Sequence, residues 1–291
     1  MIPPRSLRAD DLVLSHFSLD RNHPIEDRIS AAAAAGFAGV GLFAGQYLTL
    51  RREGLTLDRL RGLLDDADVC LAEIEVLAGW GSGTPSDAYW DFEQAVWELV
   101  DAFECRYVQA IGPYDGSIAD AAARFGAVCD RAADHGAVVG LEFLPFTNIV
   151  DAADALAVVE EADRPNGGVC VDIWHHARGA NDLELIESIP GELVAGVQMS
   201  DGRREPTPAE AAAGYKDDCL RHRVPPGEGE FGAVEFVRAI IDSGADVPWS
   251  LEVCNDDVWG RPGADHVVRI ADSMRRVLGQ ARSVDPTTPS A

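Results

Sequence analysis

Short apolar runs alternate with longer amphipathic stretches along almost the whole chain. Runs of strand length fall at 12–17, 39–43, 69–77, 107–111, 137–144, 169–172, 193–199 and 249–253. Between them, apolar residues recur at helical spacing over 24–35, 57–67, 87–103, 118–135, 151–162, 182–188, 233–243 and 264–278. The punctuation agrees with that reading. Pro24 opens the first helical stretch and Gly36 follows it, Ser86 or Asp87 stands at an N-cap position, and Gly136 closes the 118–135 stretch. A polar, Gly/Pro-rich segment over 200–229 is expected to be a long loop.

Eight strand-then-helix units in one chain predict a single (β/α)8 TIM barrel, an α/β fold. The competing arrangement, a doubly wound open sheet, normally carries a glycine fingerprint after its first strand. Here that position reads Ser15-His16-Phe17-Ser18-Leu19, without glycine. No compositional break divides the chain, so residues 1–282 are expected to form one catalytic barrel domain and 283–291, rich in Pro, Thr and Ser, a frayed tail.

In such a barrel, chemistry gathers at the C-terminal strand ends. Four consecutive strands each end on one oxygen donor: Glu142 in Gly-Leu-Glu-Phe, Asp172 in Val-Cys-Val-Asp-Ile-Trp-His-His, Gln198 in Gly-Val-Gln-Met-Ser-Asp, and Glu252 in Ser-Leu-Glu-Val-Cys-Asn. Strand parity turns Asp172 and Cys170 away from the helices that Val169 and Val171 face. A buried carboxylate there is either a helix cap or a ligand. Three carboxylates and an amide aimed into one barrel mouth repel each other unless a cation joins them. Oxygen donors suit Mn or Mg, with Co or Zn as alternatives. Two residues before each donor stand Gly140, Cys170, Gly196 and Ser250, all small. This predicts a narrow layer beneath the ligands that lets them converge on one ion.

Composition removes several other functions. The 291 residues carry 49 acidic and 24 basic side chains, a formal net charge of −25, and this field opposes nucleic acid. No run reaches bilayer-spanning length, and 1–11 lacks the apolar core of a signal peptide, so no membrane association and a cytoplasmic location are expected. The six cysteines form no CxxC pair and read as free thiols.

The Leu-Glu, Asp-x-x-His, Gln-x-Ser-Asp and Leu-Glu series, with Arg223-Val-Pro-Pro-Gly-Glu-Gly after the seventh strand, resembles the xylose-isomerase-like TIM-barrel superfamily. That group includes sugar isomerases, ketose 3-epimerases, inosose dehydratases and 3-dehydroshikimate dehydratases. The resemblance implies that Glu142, Asp172, Gln198 and Glu252 hold a metal, that His175 contacts substrate, and that Arg223 is a basic residue near the mouth. It also implies a small keto-sugar or keto-polyol substrate and, since such barrels commonly pair, a homodimer. Many epimerases of the group have histidine where this chain has Gln198, whereas glutamine occurs among its dehydratases, which makes nitrogen-seeking zinc less suited.

The expected chemistry is proton transfer beside a carbonyl, with a divalent ion stabilising an enediolate and Glu142 and Glu252 working from opposite faces. Re-protonation gives an epimer or an isomer, and loss of a β-hydroxyl gives dehydration. Isomerase or epimerase is taken as the leading reading and dehydratase as the alternative. His175 would orient or protonate a hydroxyl. His16 at the first strand end is a candidate substrate contact, and Trp80, Trp174 and Trp259 are candidate pocket walls. His176, Glu73 and Glu75 are read as structural, one glutamate paired with an arginine. No phosphate loop follows strands seven or eight, which favours an unphosphorylated substrate. An apurinic-site endonuclease requires more histidine and a basic face, and a non-catalytic binding barrel would not need the intact ligand positions.

Overall fold

A computed structural model describes residues 7–21, 23–258 and 262–283. Eight parallel strands close into one barrel in sequence order: β1 (Leu12–Leu14), β2 (Gly39–Phe43), β3 (Cys70–Ala78), β4 (Tyr107–Ile111), β5 (Val138–Glu142), β6 (Gly167–Asp172), β7 (Val194–Met199) and β8 (Trp249–Leu251). β8 pairs back onto β1 through Val13 and Ser250, which leaves no open edge. β6 is buried along its entire length, which explains why it reads as an unbroken apolar run.

The helices form the outer ring. They comprise α1 (Ile25–Ala34), α2 (Ala44–Arg52), α3 (Leu57–Ala67), α4 (Asp87–Phe103), α5 (Ile118–Asp134), α6 (Ala152–Ala162), α7 (Ile173–Arg178), α8 (Leu183–Glu187), α9 (Pro208–Ala213), α10 (Tyr215–Arg221), α11 (Ala233–Asp242) and α12 (Ala264–Ser283). Their starts are written in the sequence. The Ser86 side chain caps α4, Ser117 and Asp120 form a capping box on α5, and Asp151 caps α6. No described helix is long and apolar enough to cross a membrane. All six cysteines are free.

Five expectations need correction. β1 stops at Leu14, and the rest of the first run turns into a 3-10 segment over His16–Ser18, whose N-cap is the Ser15 hydroxyl. Ala44–Arg52 is helical although its weak apolar periodicity gave no sign of it; Arg51 joins Glu98 on α4, 2.6 Å away. α7 begins directly at the end of β6, and the 200–229 segment carries α9 and α10 rather than being an open loop. α12 continues through Ser283, so the first residue of the expected 283–291 tail is helical; residues 284–291 lie outside the described residues, as does Trp259.

The strand register places the site. Asp172 pairs with Gln198 across β6 and β7, Glu142 pairs with Cys170, and Gln198 pairs with Ser250. The four donors are therefore stepped by two residues between β5 and β6 and again between β7 and β8, as strand tilt in a closed barrel requires.

Candidate metal and acid–base site

Asp172 is both cap and candidate ligand. Its Oδ1 accepts the backbone N–H groups of Trp174 at 2.6 Å and His175 at 3.0 Å, which starts α7 and turns His175 back over the barrel. Its Oδ2 is left for the interior and accepts from Arg223 Nη1 at 2.7 Å.

The four expected ligands are joined as two pairs. Arg223 links Asp172 to Glu252, since Nη1 is also 3.0 Å from Glu252 Oε2. Gln109, on β4, links Glu142 to Gln198: its Nε2 donates to Glu142 Oε2 at 2.7 Å and to Gln198 Oε1 at 3.1 Å. His175 Nε2 lies between the pairs, 3.2 Å from Glu142 Oε1 and 3.4 Å from Arg223 Nη2. All seven side chains are buried.

Burial and charge pull the acids apart. Burial first, then the neighbouring Asp172 charge, hold the Glu142 carboxyl well above its ordinary range, against Arg223 and Gln109. Burial likewise raises Glu252; Arg223 opposes this, while Glu142 and Asp172 add to it. Burial acts upward on Asp172 too, but Arg223 and His175 outweigh it and leave that carboxyl below its usual value. Fully ionised, three carboxylates face one guanidinium and two negative charges stay uncompensated.

These residues fit a divalent cation on structural grounds. Atoms of Glu142, Asp172 and His175 lie within 4.8 Å of one another. Glu142 Oε1 is buried and accepts no hydrogen bond, so one lone-pair site is available in the middle of the group. The set is hard and oxygen-rich, and the missing positive charge equals that of one divalent ion.

Arg223 lies at the strand ends, against Asp172 and Glu252, and is 1% exposed, because its backbone is tied to the segment that follows β8. Its N–H donates to Cys254 O at 3.0 Å, and Asn255 Nδ2 donates to its carbonyl at 2.8 Å. The Pro226-Gly227-Glu228-Gly229 segment then secures this chain from outside. Asp201 accepts from the Gly202, Gly227 and Phe231 N–H groups, and a Cβ on Gly229 would come within 2.4 Å of Asp201 Oδ1. Glu228 reaches Arg269 on α12, Nε to Oε1 being 3.1 Å.

The small residues beneath the ligands serve a different end from the one expected. The Tyr107 ring fills the space in front of Gly140 and Gly196, where an added Cβ would meet its hydroxyl at 2.6 and 2.3 Å. Ser250 donates to Glu73 Oε1 at 2.6 Å, and Cys170 Sγ lies 3.7 Å from Gln198 Oε1. A cavity of about 390 Å³ opens below, lined partly by Glu73, Tyr107, Gln198 and Ser250. The layer is small-residued to admit Tyr107 and Glu73.

Glu73 and Glu75 do face inward, but their hydrogen-bond partners are hydroxyls, a backbone amide and each other rather than an arginine. Glu75 accepts from Ser15 Oγ and from His16 N–H, both at 2.8 Å. His16 itself lies against Phe17 and Phe43; both ring nitrogens are buried without partners, and burial, followed by Arg28, pushes its pKa well down. Trp174 is buried with the guanidinium carbons of Arg178 and Arg223 each 5.4 Å from its ring, so it braces Arg223 more than it lines an open wall. Trp80 is core, donating to Ile111 O at 2.8 Å and packing on Phe125. His176 packs on Phe236. Phe146, whose ring stands 6.0 Å from that of His175, and Gln109 were missed. Parity on β4 is the signal for Gln109, which shares a strand face with inward Tyr107.

Comparison with known proteins agrees with the fold and with the family resemblance. The xylose isomerase-like TIM barrel family model matches residues 29–277, and the chain belongs to that family. Two curated 3-dehydroshikimate dehydratases are similar. The one from Pseudomonas aeruginosa is 32% identical over 153 residues, 52% of this chain and 23% of that protein. The one from Pseudomonas putida is 27% identical over 281 residues, 87% of this chain and 39% of that protein. The chain thus spans well under half the length of these relatives. Among solved structures, an IOLI protein with a bound zinc atom superposes with a TM-score of 0.81 at 15% identity, covering 94% of this chain and 100% of that one. A D-allulose 3-epimerase from Methylomonas sp. gives 0.70 at 15% identity, covering 94% and 99%.

Proposed function

We propose that this chain is a divalent-metal-dependent dehydratase acting on a cyclic β-hydroxy ketone of the 3-dehydroshikimate type. Glu142, Asp172, Gln198 and Glu252 would hold Mn or Mg. The observation that carries the choice of reaction is the asymmetry of the two glutamates. Glu142 has an unpartnered oxygen 3.2 Å from His175 Nε2, whereas Glu252 is bound to Arg223. Epimerisation needs acid–base groups on both faces of the substrate. Dehydration needs one base and one acid near each other, which Glu142 and His175 supply. The curated relatives, by their names, point the same way.

A bound divalent ion would supply Lewis acidity at the substrate carbonyl oxygen. Glu142 Oε1 is placed to take the proton from the carbon beside the carbonyl. The C–H electron pair becomes the new C=C bond as the β C–O bond breaks. His175 protonates the departing hydroxyl, which leaves as water, and the proton gained by Glu142 returns across the 3.2 Å gap. Phe146 beside His175 offers a face for a ring substrate.

The metal-dependent isomerase or epimerase remains the second reading, favoured by the fold shared with the D-allulose 3-epimerase. The test is incubation of the Mn-loaded protein with 3-dehydroshikimate and, separately, with ketoses in deuterated water. Growth of a conjugated-product absorbance supports dehydration. Deuterium entering a ketose without any absorbing product contradicts it and supports the second reading.

A further inference from the structure

Gln109 stands outside every expected ligand or catalytic set, yet it holds two of the four candidate ligands from a third strand. We infer that Gln109 is a positioning residue which orients Glu142 and Gln198 at the candidate cation site, holding Glu142 by Oε2 so that Oε1 is left free and holding Gln198 by its oxygen end; this rests on the cation-site reading above.

An amide has two ends, and only one can face a carboxylate. Glu142, when ionised, only accepts, so the contact of 2.7 Å orients the Gln109 side chain with its NH2 toward Glu142. The second N–H of that same nitrogen then points at Gln198, 3.1 Å away. It requires the Gln198 oxygen there, because a Gln198 turned by half a revolution would oppose N–H to N–H. A hard cation binds an amide through oxygen, so the turned rotamer would remove a ligand. Gln109 thereby sets the end of Gln198 that is presented and brings it beside Glu142, across β4, β5 and β7. Glu142 Oε1 stays free for the ion, and the Gln198 oxygen gains a lone pair for it by giving up only the weak, 3.7 Å contact from Cys170 Sγ.

Packing alone does not account for the residue. Gln109 is 1% exposed and its own Oε1 has no partner, so the fold carries the desolvation of an unpaired amide oxygen. A methionine would fill similar space without that cost.

Gln109→Met removes both donors at similar volume. Calorimetric titration of Mn2+ into metal-stripped protein should show binding about 10–100-fold weaker than wild type, the usual effect of removing a group that orients ligands. The melting temperature in chelator should be unchanged or higher. The contrary result is a lower melting temperature in chelator with an unchanged Mn2+ affinity; it would make Gln109 a packing residue and overturn the inference. Should the methionine variant not fold, Gln109→Asn gives the reading, because it keeps the amide but is too short to span both oxygens. It too should bind Mn2+ more weakly, and equal affinity overturns the inference. A wild type that binds no Mn2+ removes the cation site itself and this role with it. A wild type that binds while both variants bind equally removes only the role of Gln109.

Discussion

Arg223 is the residue on which the charge balance turns. It supplies the positive charge between Asp172 and Glu252, and Asp172 first among its neighbours outweighs burial to hold the guanidinium firmly protonated. Removing it leaves buried carboxylates without compensation, which costs about 3–5 kcal/mol. Arg223→Met should therefore lower the urea midpoint of the metal-free protein strongly, with Mn2+ recovering part of the loss. An unchanged midpoint would mean the acids are protonated or hydrated instead. Glu142→Gln keeps the contact site of Gln109 while removing the base. It should abolish turnover with a melting temperature within a few degrees of wild type, and retained turnover would exclude Glu142 from proton transfer.

At the scale of elements, the junction between β6 and α7 and the 200–229 segment decide the site. With no linker between strand and helix, one carboxylate serves both elements: Asp172 Oδ1 caps α7 while Oδ2 accepts from Arg223. Asp201 does comparable work for the loop that carries Arg223. Asp201→Ala would leave the N–H groups of Gly202, Gly227 and Phe231 without their acceptor. It should cost about 2–4 kcal/mol and open 202–231 to limited proteolysis, and a digestion pattern like that of wild type would contradict this.

These elements also show what the sequence could disclose. Parity and strand ends identified Glu142, Asp172, Gln198 and Glu252 because a period-two pattern fixes facing. The buried state of Arg223 was not legible, since it depends on long-range ties to Cys254 and Asn255. Tyr107 escaped for a related reason. Gly140 and Gly196 advertise space, but only the closed barrel shows which side chain from another strand fills it. α2 went unseen because its apolar positions are too few to set a period, and its packing on α4 decides its fate.

At the scale of the molecule, the barrel is an acidic vessel with two layers of buried carboxyls. The lower layer should be visible in its pH response. Burial raises Glu73 from 4.5 to about 7, although Ser250 donates to it. Unfolding returns it to water, so between these values the folded chain holds a proton that the unfolded chain has lost. The stabilisation is full below pH 4.5, falls as pH rises toward 7 and is absent above. It amounts to about 3 kcal/mol. The metal-free protein should melt lower at pH 8 than at pH 5, and Glu73→Gln, neutral at both, should shrink that difference. A variant with the wild-type difference would place the effect elsewhere.

Four donors at consecutive strand ends would enclose one divalent ion. Elemental analysis of protein purified without added metal or chelator, for wild type and Asp172→Asn side by side, tests it most directly. The account predicts about one Mn, Mg, Co or Zn per wild-type chain, a melting temperature that falls on chelation, and much less metal in the variant. Wild type without metal, and with no thermal response to added Mn2+, would contradict it and leave these carboxylates with another purpose.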